Sequence, residues 1–102
     1  MKLEWLPAAL ADRDAIYDYV SADSRRAAIQ VDQTIEQQAE RLVEYPFRGR
    51  IGRQPQTREL VVLGAPYIVV YQPWSESILI LRVLHAAQSW PGQSGGPSSI
   101  QD

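Results

Sequence analysis

One histidine and a few arginines are the side chains that could move a proton or hold a phosphate. His85 is the only histidine, and the ordinary pKa of histidine lies near neutrality, so it could act as a general acid or base. Arg58 opens, and Arg82 lies within, a predicted strand of mainly apolar residues, and arginine presents a planar fork of donors to phosphate or carboxylate. A histidine at a strand end can equally be a packed, hydrogen-bonded rim residue, and the sequence leaves both interpretations open.

Other common kinds of chemical site have no signature in this chain. It contains no cysteine, which excludes thiol catalysis, disulfides and thiolate metal sites. A single histidine with scattered carboxylates has no recognisable metal-ligand spacing. The sequence also lacks a nucleophile elbow, a phosphate-binding glycine loop and a dinucleotide fingerprint. We therefore expect neither a metal nor a cofactor.

Positive charge is concentrated in one short stretch. Residues 1–47 carry nine acids and five bases, whereas residues 48–102 carry three acids and five bases, within an overall net charge of −2. Four of these bases (Arg48, Arg50, Arg53 and Arg58) lie within eleven residues that contain no acid. The cluster predicts a positive patch that meets phosphate or an acidic partner. A solvated basic loop is the alternative.

Arg82 is unusual because the strand predicted around it is apolar. Alternation along that strand places Arg82 on one face with Ile80 and Leu84. A half-buried guanidinium must be paired or must await an anionic ligand, since an unpaired ion in a low-dielectric site is costly. We expect pairing with an internal acid such as Glu59 or Glu4.

The hydrophobic pattern predicts one small α+β domain. With 102 residues and 11.5 kDa, the chain has room for a single domain. Alternation predicts a first strand, and apolar spacings of three and four predict two helices joined by a short turn with N-cap residues. Three β-rich runs with tight connections predict an antiparallel meander. The order βααβββ describes a two-layer fold, with an antiparallel helical hairpin packed on a four-stranded, mainly antiparallel sheet. The predicted elements are strands at 2–6, 58–63, 67–72 and 78–85, helices at 8–20 and from 25 to about 45, and a loop at 47–57 with room for a short edge strand.

The first residues, the longest apolar run and the glycine-rich tail bear on localisation and domain bounds. The first residues include an acid where a signal peptide needs an apolar core, and the longest apolar run is twelve residues interrupted by Pro66. We expect a cytoplasmic protein without a membrane span. Residues 92–102 are rich in glycine and serine and predict a disordered tail after a single domain at 1–91.

Several short motifs occur in a characteristic order. They are Trp5-x-Pro7, Pro46-x-x-Gly49-Arg50 and the runs 58–62, 66–71 and 83–91. In this order and spacing the chain resembles the RelE/ParE family of bacterial toxins over residues 2–91. The resemblance implies the same two-layer fold and a type II toxin-antitoxin system, in which a cognate antitoxin protein neutralises this chain.

The family divides by target, and the two branches imply different chemistry. Members of the mRNA-cleaving branch act on the ribosome and would use Arg58, Arg82 and His85 as the catalytic set. Such members tend to be strongly basic, whereas this chain is net acidic, has one lysine and shows no second proton carrier beside His85. Members of the ParE branch bind and poison DNA gyrase without chemistry of their own. The ending Val-Leu-His-x-x-Gln-x-Trp-Pro resembles this second branch more closely.

The resemblance also indicates where partners bind. Trp74 lies in a predicted turn and Trp90 beyond the last strand, where exposed aromatic side chains suit a partner-binding surface. We expect a hetero-oligomer with the antitoxin, gyrase or the ribosome as target, and no direct nucleic-acid binding without the target. A domain of this fold with an unrelated binding role is the third possibility. The residues expected to bind antitoxin or target are Arg48, Arg50, Arg53, Arg58, Trp74, His85, Gln88 and Trp90.

Overall fold

The N-terminal strand lies at one edge of a sheet formed mainly by the second half of the chain. The computed structural model describes residues 1–87, and Gln88, Trp90 and the predicted tail at 92–102 lie outside them. The elements are β1 (Lys2–Trp5), α1 (Pro7–Ser21), α2 (Arg25–Glu40), a 3₁₀ turn (Arg41–Val43), β2 (Arg50–Ile51), β3 (Arg58–Val61), β4 (Tyr67–Pro73) and β5 (Ser77–His85). The strand order is β1-β5-β4-β3-β2, with β1 parallel to β5 and the other neighbours antiparallel.

The predicted α+β class and the βααβββ order are confirmed, with one correction to the strand count. The sheet has five strands within the described residues, not four, because β2 pairs two residues with β3 inside the predicted loop. A strand of two residues among glycines and prolines is too short to produce an alternating pattern. The predicted second helix also ends earlier, at Glu40, and continues as the 3₁₀ turn.

Local sequence signals account for both helices. Pro7 occupies the first turn of α1, where its missing N–H leaves no hydrogen bond unmade. The hydroxyl of Ser24 caps α2 by accepting a hydrogen bond from the Ala27 N–H at 3.1 Å.

An ion pair joins the two helices, since Nε and Nη2 of Arg13 donate to both oxygens of Asp32 at 3.0 and 2.9 Å. This hydrogen bonding raises the pKa of Arg13 above its ordinary value.

The main core lies between the helices and one face of the sheet. Every residue from Tyr67 to Tyr71 is buried, as expected for a central strand that is apolar on both faces. The small side chains of Ala9 and Ala39 are fully buried and bring the helix backbones close to the strands. The buried residues of this core are Ala9, Ile35, Ala39, Leu42, Leu60, Val62, Tyr67, Val69, Tyr71, Ile78, Ile80 and Val83.

A β-bulge in β5 changes which of its side chains face the core, and the predicted faces of this strand are corrected accordingly. The register passes from Tyr71↔Ile80 to Val70↔Arg82, so Leu81 has no partner of its own. Ile80 and Val83 both enter the core below the helices, whereas Leu84 packs with Ile68 and Val70 in a second apolar cluster. The predicted apolar row of Ile80, Arg82 and Leu84 is therefore wrong. From Ile78 to Leu84 the strand sequence is apolar on both faces apart from Arg82, so it gives no local sign of the extra residue.

Candidate functional site

The arginine-bearing loop is anchored to the centre of the sheet. The Tyr71 hydroxyl accepts a hydrogen bond from the Gly49 N–H at 2.9 Å and donates one to the Pro46 carbonyl at 2.8 Å. Arg58 Nη1 donates to the carbonyls of Gly49 at 2.7 Å and Phe47 at 3.3 Å, with its guanidinium 4.9 Å from the centre of the Phe47 ring. The Pro46-x-x-Gly49-Arg50 motif is thus a loop that these two strand residues hold in place.

Arg50 and Arg53 share one buried carboxylate. Glu59 is 1% exposed and accepts hydrogen bonds from both guanidinium groups at 3.0–3.3 Å. Burial acts to raise the pKa of this carboxyl, but the hydrogen bonds from Arg53 and Arg50 outweigh burial and leave the pKa below its ordinary value. The sequence window from Arg48 to Arg58 contains no acid, yet the next residue, Glu59, lies beneath two of its arginines. The patch therefore carries less free positive charge than the composition predicts.

Arg82 is paired, as predicted, but its partner is neither Glu59 nor Glu4. Its Nε and Nη2 donate to the two oxygens of Asp12 on α1 at 2.7 and 3.0 Å. Asp12 also accepts a hydrogen bond from the backbone N–H of Val83 at 2.8 Å. Hydrogen bonding to Asp12 raises the pKa of Arg82 above its ordinary value. The pair joins α1 to β5 where the partner strand β1 has already ended.

His85 is exposed at the end of β5. Its Nδ1 accepts a hydrogen bond from the Ala87 N–H at 3.1 Å, and its ring lies edge-on to Tyr67 with centroids 5.5 Å apart. Arg58 pairs with Tyr71 at the opposite end of β4, whereas His85 pairs with Tyr67. Four residues along a strand span about 13 Å, and β3 lies about 10 Å across the sheet from β5. The fold does not bring His85 and Arg58 together.

Trp74 lies at the same end of the sheet as the arginine-bearing loop. It is 57% exposed, and its Nε1 donates to Gln72 Oε1 at 3.3 Å. Gln56, which follows Arg53 in the loop, lines a groove of about 260 Å³ together with Trp74. The structure therefore brings Trp74 near the predicted arginine cluster and leaves His85 apart from it.

Sequence reasoning missed an open stretch of sheet edge along β3. Beyond the short strand β2, the side-chain amide of Gln38 accepts a hydrogen bond from the Leu63 N–H and donates one to the Leu63 carbonyl, both at 2.8 Å. Between this amide and β2, Val61 is 47% exposed, and Leu63 is 67% exposed. Arg41 and Arg48 line the same region and have no side-chain partner among residues 1–87. Only the tertiary pairing shows that no other part of residues 1–87 covers this edge.

Two further properties concern the described part of the chain. Within residues 1–87, no three histidine or acidic side chains are grouped so that they could hold a metal ion. None of the helices described here is both long and apolar enough to cross a membrane.

Comparison with known proteins identifies the family. The sequence model of the family described as "ParE toxin of type II toxin-antitoxin system, parDE" matches residues 3–90. Among curated proteins, the chain is 41% identical to "Putative toxin Y4kP" of Sinorhizobium fredii over 88% of this chain and 93% of that protein. It is 39% identical to "Toxin RelE2" of Caulobacter vibrioides over 82% of this chain and 93% of that protein.

Solved structures agree with the sequence comparison. A chain of the chromosomal ParDE toxin-antitoxin system from P. aeruginosa superposes with a TM-score of 0.75 and 33% identity, over 83% of this chain and 95% of that one. A chain of the E. coli RelBE toxin-antitoxin complex has a TM-score of 0.60 at 17% identity, over 84% of this chain and 96% of that one, and supports the fold alone. The chain belongs to the ParE toxin family of type II toxin-antitoxin systems.

Proposed function

We propose that this toxin arrests growth by binding an essential cytoplasmic protein, with DNA gyrase as the leading candidate, and that a cognate antitoxin neutralises it. One observation carries the proposal: the set that RNA cleavage would need is dispersed. Arg58 on β3 pairs with Tyr71, whereas His85 on β5 pairs with Tyr67, four residues away along β4. The Arg58 guanidinium holds the loop at Phe47 and Gly49, and Arg82 is bound to Asp12 through two donors. These groups stabilise the fold, which favours a binding role.

The target is tested with purified components. The chain is added to purified gyrase on relaxed plasmid, and supercoiling is followed on agarose gels; inhibition that rises with toxin concentration to saturation is expected. In parallel, induction in cells should activate the DNA damage response without cleaving transcripts. Unaffected gyrase together with ribosome-dependent transcript cleavage would replace the proposal by the RelE-like mRNA endoribonuclease, the alternative that the resemblance offered.

Replacing His85 by glutamine is expected to preserve most of the toxicity. The imidazole receives one backbone hydrogen bond at Nδ1 and packs against Tyr67, and glutamine retains a polar group of similar size. A nuclease that used His85 for proton transfer would lose a factor of about 10²–10⁴ in the chemical step. Growth arrest is measured after induction of each variant, with primer extension on ribosome-bound transcripts. Loss of arrest in His85→Gln, combined with codon-phased cleavage by the unmodified chain, would contradict a binding mechanism.

The uncovered edge of β3 is the surface we assign to the antitoxin. An extended segment can add beside Val61, between β2 and the Gln38 amide, through backbone hydrogen bonds, and can place side chains over the exposed Val61 and Leu63. The guanidinium groups of Arg41 and Arg48, which have no partner within residues 1–87, border this edge, so acidic residues in the segment would find complementary charge. The arrangement favours an antitoxin segment that combines apolar and acidic residues and becomes ordered on binding.

Charge reversal of Arg41 and Arg48 together is expected to slow antitoxin association about tenfold at low salt, because opposite charges steer the encounter. The difference should shrink as salt rises. The measurement is stopped-flow association with the antitoxin encoded beside this chain's gene. Reversal of Arg25 and Arg26, exposed at the start of α2, alters net charge equally and serves as the control. Equal slowing by both pairs would assign the effect to net charge and remove the proposed surface.

A further inference from the structure

We infer that Glu59 is a specificity-determining residue, which occupies Arg50 and Arg53 as an internal carboxylate and so prevents them from binding the phosphates of RNA. The inference deepens the proposed function and rests on it in one respect: a toxin that acts by binding a protein gains from having little affinity for RNA. The pairing of Glu59 with Arg50 and Arg53 lies within this chain and does not depend on the identity of the target.

The geometry of the cluster shows which donors are occupied. Arg50 directs Nε and Nη2 to Glu59 Oε1 at 3.3 and 3.0 Å. Arg53 directs Nη2 to Oε1 at 3.3 Å, and its Nε and backbone N–H to Oε2 at 3.1 and 3.0 Å. Both carboxylate oxygens and the Nε–Nη2 side of both guanidinium groups are therefore engaged.

That side of a guanidinium is one that binds phosphate well. Paired N–H groups on one edge of the plane match two oxygens of a carboxylate or a phosphate and form two parallel, charge-assisted hydrogen bonds. In this loop the carboxylate already takes those positions on Arg50 and Arg53. A phosphate approaching from solvent meets only the guanidinium N–H groups that do not face Glu59. The carboxylate also partly cancels the positive charge that would attract the phosphate.

Burial makes the internal carboxylate difficult to displace. The Glu59 side chain is 1% exposed, whereas the side chains of Arg50 and Arg53 are 56% and 44% exposed. A phosphate that captured both guanidinium groups would leave the Glu59 carboxylate buried and unpaired, which is strongly unfavourable. The arginines thus lie at the surface with their charge directed inward.

Arg48 provides the contrast within the same loop. It is exposed, and its side chain forms no hydrogen bond or ion pair with residues 1–87. Of the two neighbouring arginines at positions 48 and 50, one is open to a phosphate and the other is masked. This difference makes the inference testable with single substitutions.

Glu59→Gln is the direct test. The variant removes the carboxylate charge and frees the Nε–Nη2 sides of two arginines, so affinity for RNA should rise about tenfold in low salt. The slope of log Kd against log salt should steepen by about 1.4, since each additional phosphate contact to a single strand contributes about 0.7. The probe is a fluorescein-labelled single-stranded 20-nucleotide RNA of mixed sequence, followed by anisotropy without ribosomes or gyrase. Circular dichroism establishes whether the variant is folded.

A matched pair of substitutions decides the question even if Glu59→Gln does not fold. Arg48→Gln and Arg50→Gln each remove one positive charge, and Glu59 keeps Arg53 as its partner in the second. Weak RNA binding by the unmodified chain should fall two- to threefold in Arg48→Gln and stay unchanged in Arg50→Gln. Equal losses in both, or a folded Glu59→Gln variant with unaltered RNA affinity, would overturn the inference. Neither assay contains gyrase, so their results do not depend on whether gyrase is the target.

Discussion

Replacing Asp12 by alanine is expected to lower the free energy of unfolding by about 2–4 kcal/mol, a large share of the stability of a small domain. The Asp12 carboxylate accepts three hydrogen bonds, two from the Arg82 guanidinium and one from the backbone N–H of Val83. Its side chain is 17% exposed and that of Arg82 is 32% exposed. The substitution leaves a half-buried cation and a strand-edge N–H without this partner. The measurement is urea unfolding followed by tryptophan fluorescence.

Asp14 provides the matched control for this substitution. It lies on the same helix, is exposed and forms no hydrogen bond through its side chain within residues 1–87. Asp14→Ala removes the same charge and should alter the free energy of unfolding by less than about 0.5 kcal/mol. Asp12→Asn should fall between the two, because an amide can still accept one of the hydrogen bonds. Equal effects of Asp12→Ala and Asp14→Ala would show that net charge on α1, and not the contact with β5, sets the stability.

The parts of the fold that sequence reasoning predicted are those with local signals. The Ser24 cap, the proline at the start of α1 and the three- and four-residue apolar spacing of α2 act within one or two turns of chain. The continuous apolar run of β4 likewise requires only that both of its faces be covered. Each of these features can be recognised without knowing which distant residues meet.

The contacts that define the candidate site are long-range, and this is why they were missed. Asp12 and Arg82 are 70 positions apart, and no periodicity links an exposed-looking acid on a helix to an arginine on the last strand. The bulge at Leu81 changes which face the end of β5 presents, and the nearly continuous apolar run from Ile78 to Leu84 gives no sign of it. Glu59 directly follows Arg58 in the predicted strand. The strand pattern does not indicate that the side chains of Arg50 and Arg53 pair with Glu59.

The Tyr71 hydroxyl explains why the Pro46-x-x-Gly49-Arg50 motif has a glycine at position 49. A tyrosine in an apolar strand is ordinarily assigned to the core, and the ring of Tyr71 is indeed fully buried. Its hydroxyl nevertheless reaches the backbone of Pro46 and Gly49, because a buried phenol requires hydrogen-bond partners. Burial raises the pKa of Tyr71 above its ordinary value, so the hydroxyl keeps its proton and remains a donor. The loop therefore needs a glycine where the phenol makes its closest approach.

Gly49→Ala is accordingly expected to lower the free energy of unfolding by about 2 kcal/mol, within the range for overpacked sites, and to detach the loop that carries Arg48 and Arg50. A Cβ at position 49 would lie 2.8 Å from Tyr71 Cε1 and from its hydroxyl, and 2.9 Å from the Glu59 carbonyl. The ring is buried and the carbonyl belongs to β3, so neither can move aside without disturbing the sheet. The measurement is again urea unfolding, with antitoxin association as a second readout.

Gly64→Ala is the comparison that separates steric crowding from backbone conformation. Gly64 has a φ of +87° and open space where a Cβ would be placed, so alanine there costs about 1 kcal/mol through its backbone alone. It should leave antitoxin association unchanged when measured under conditions where both variants are folded. Gly49→Ala should slow that association, because the displaced loop no longer holds Arg48 beside the open edge of β3. A Gly49→Ala variant as stable as the unmodified chain would mean that the hydrogen bonds of Tyr71 to this loop do not hold it in place.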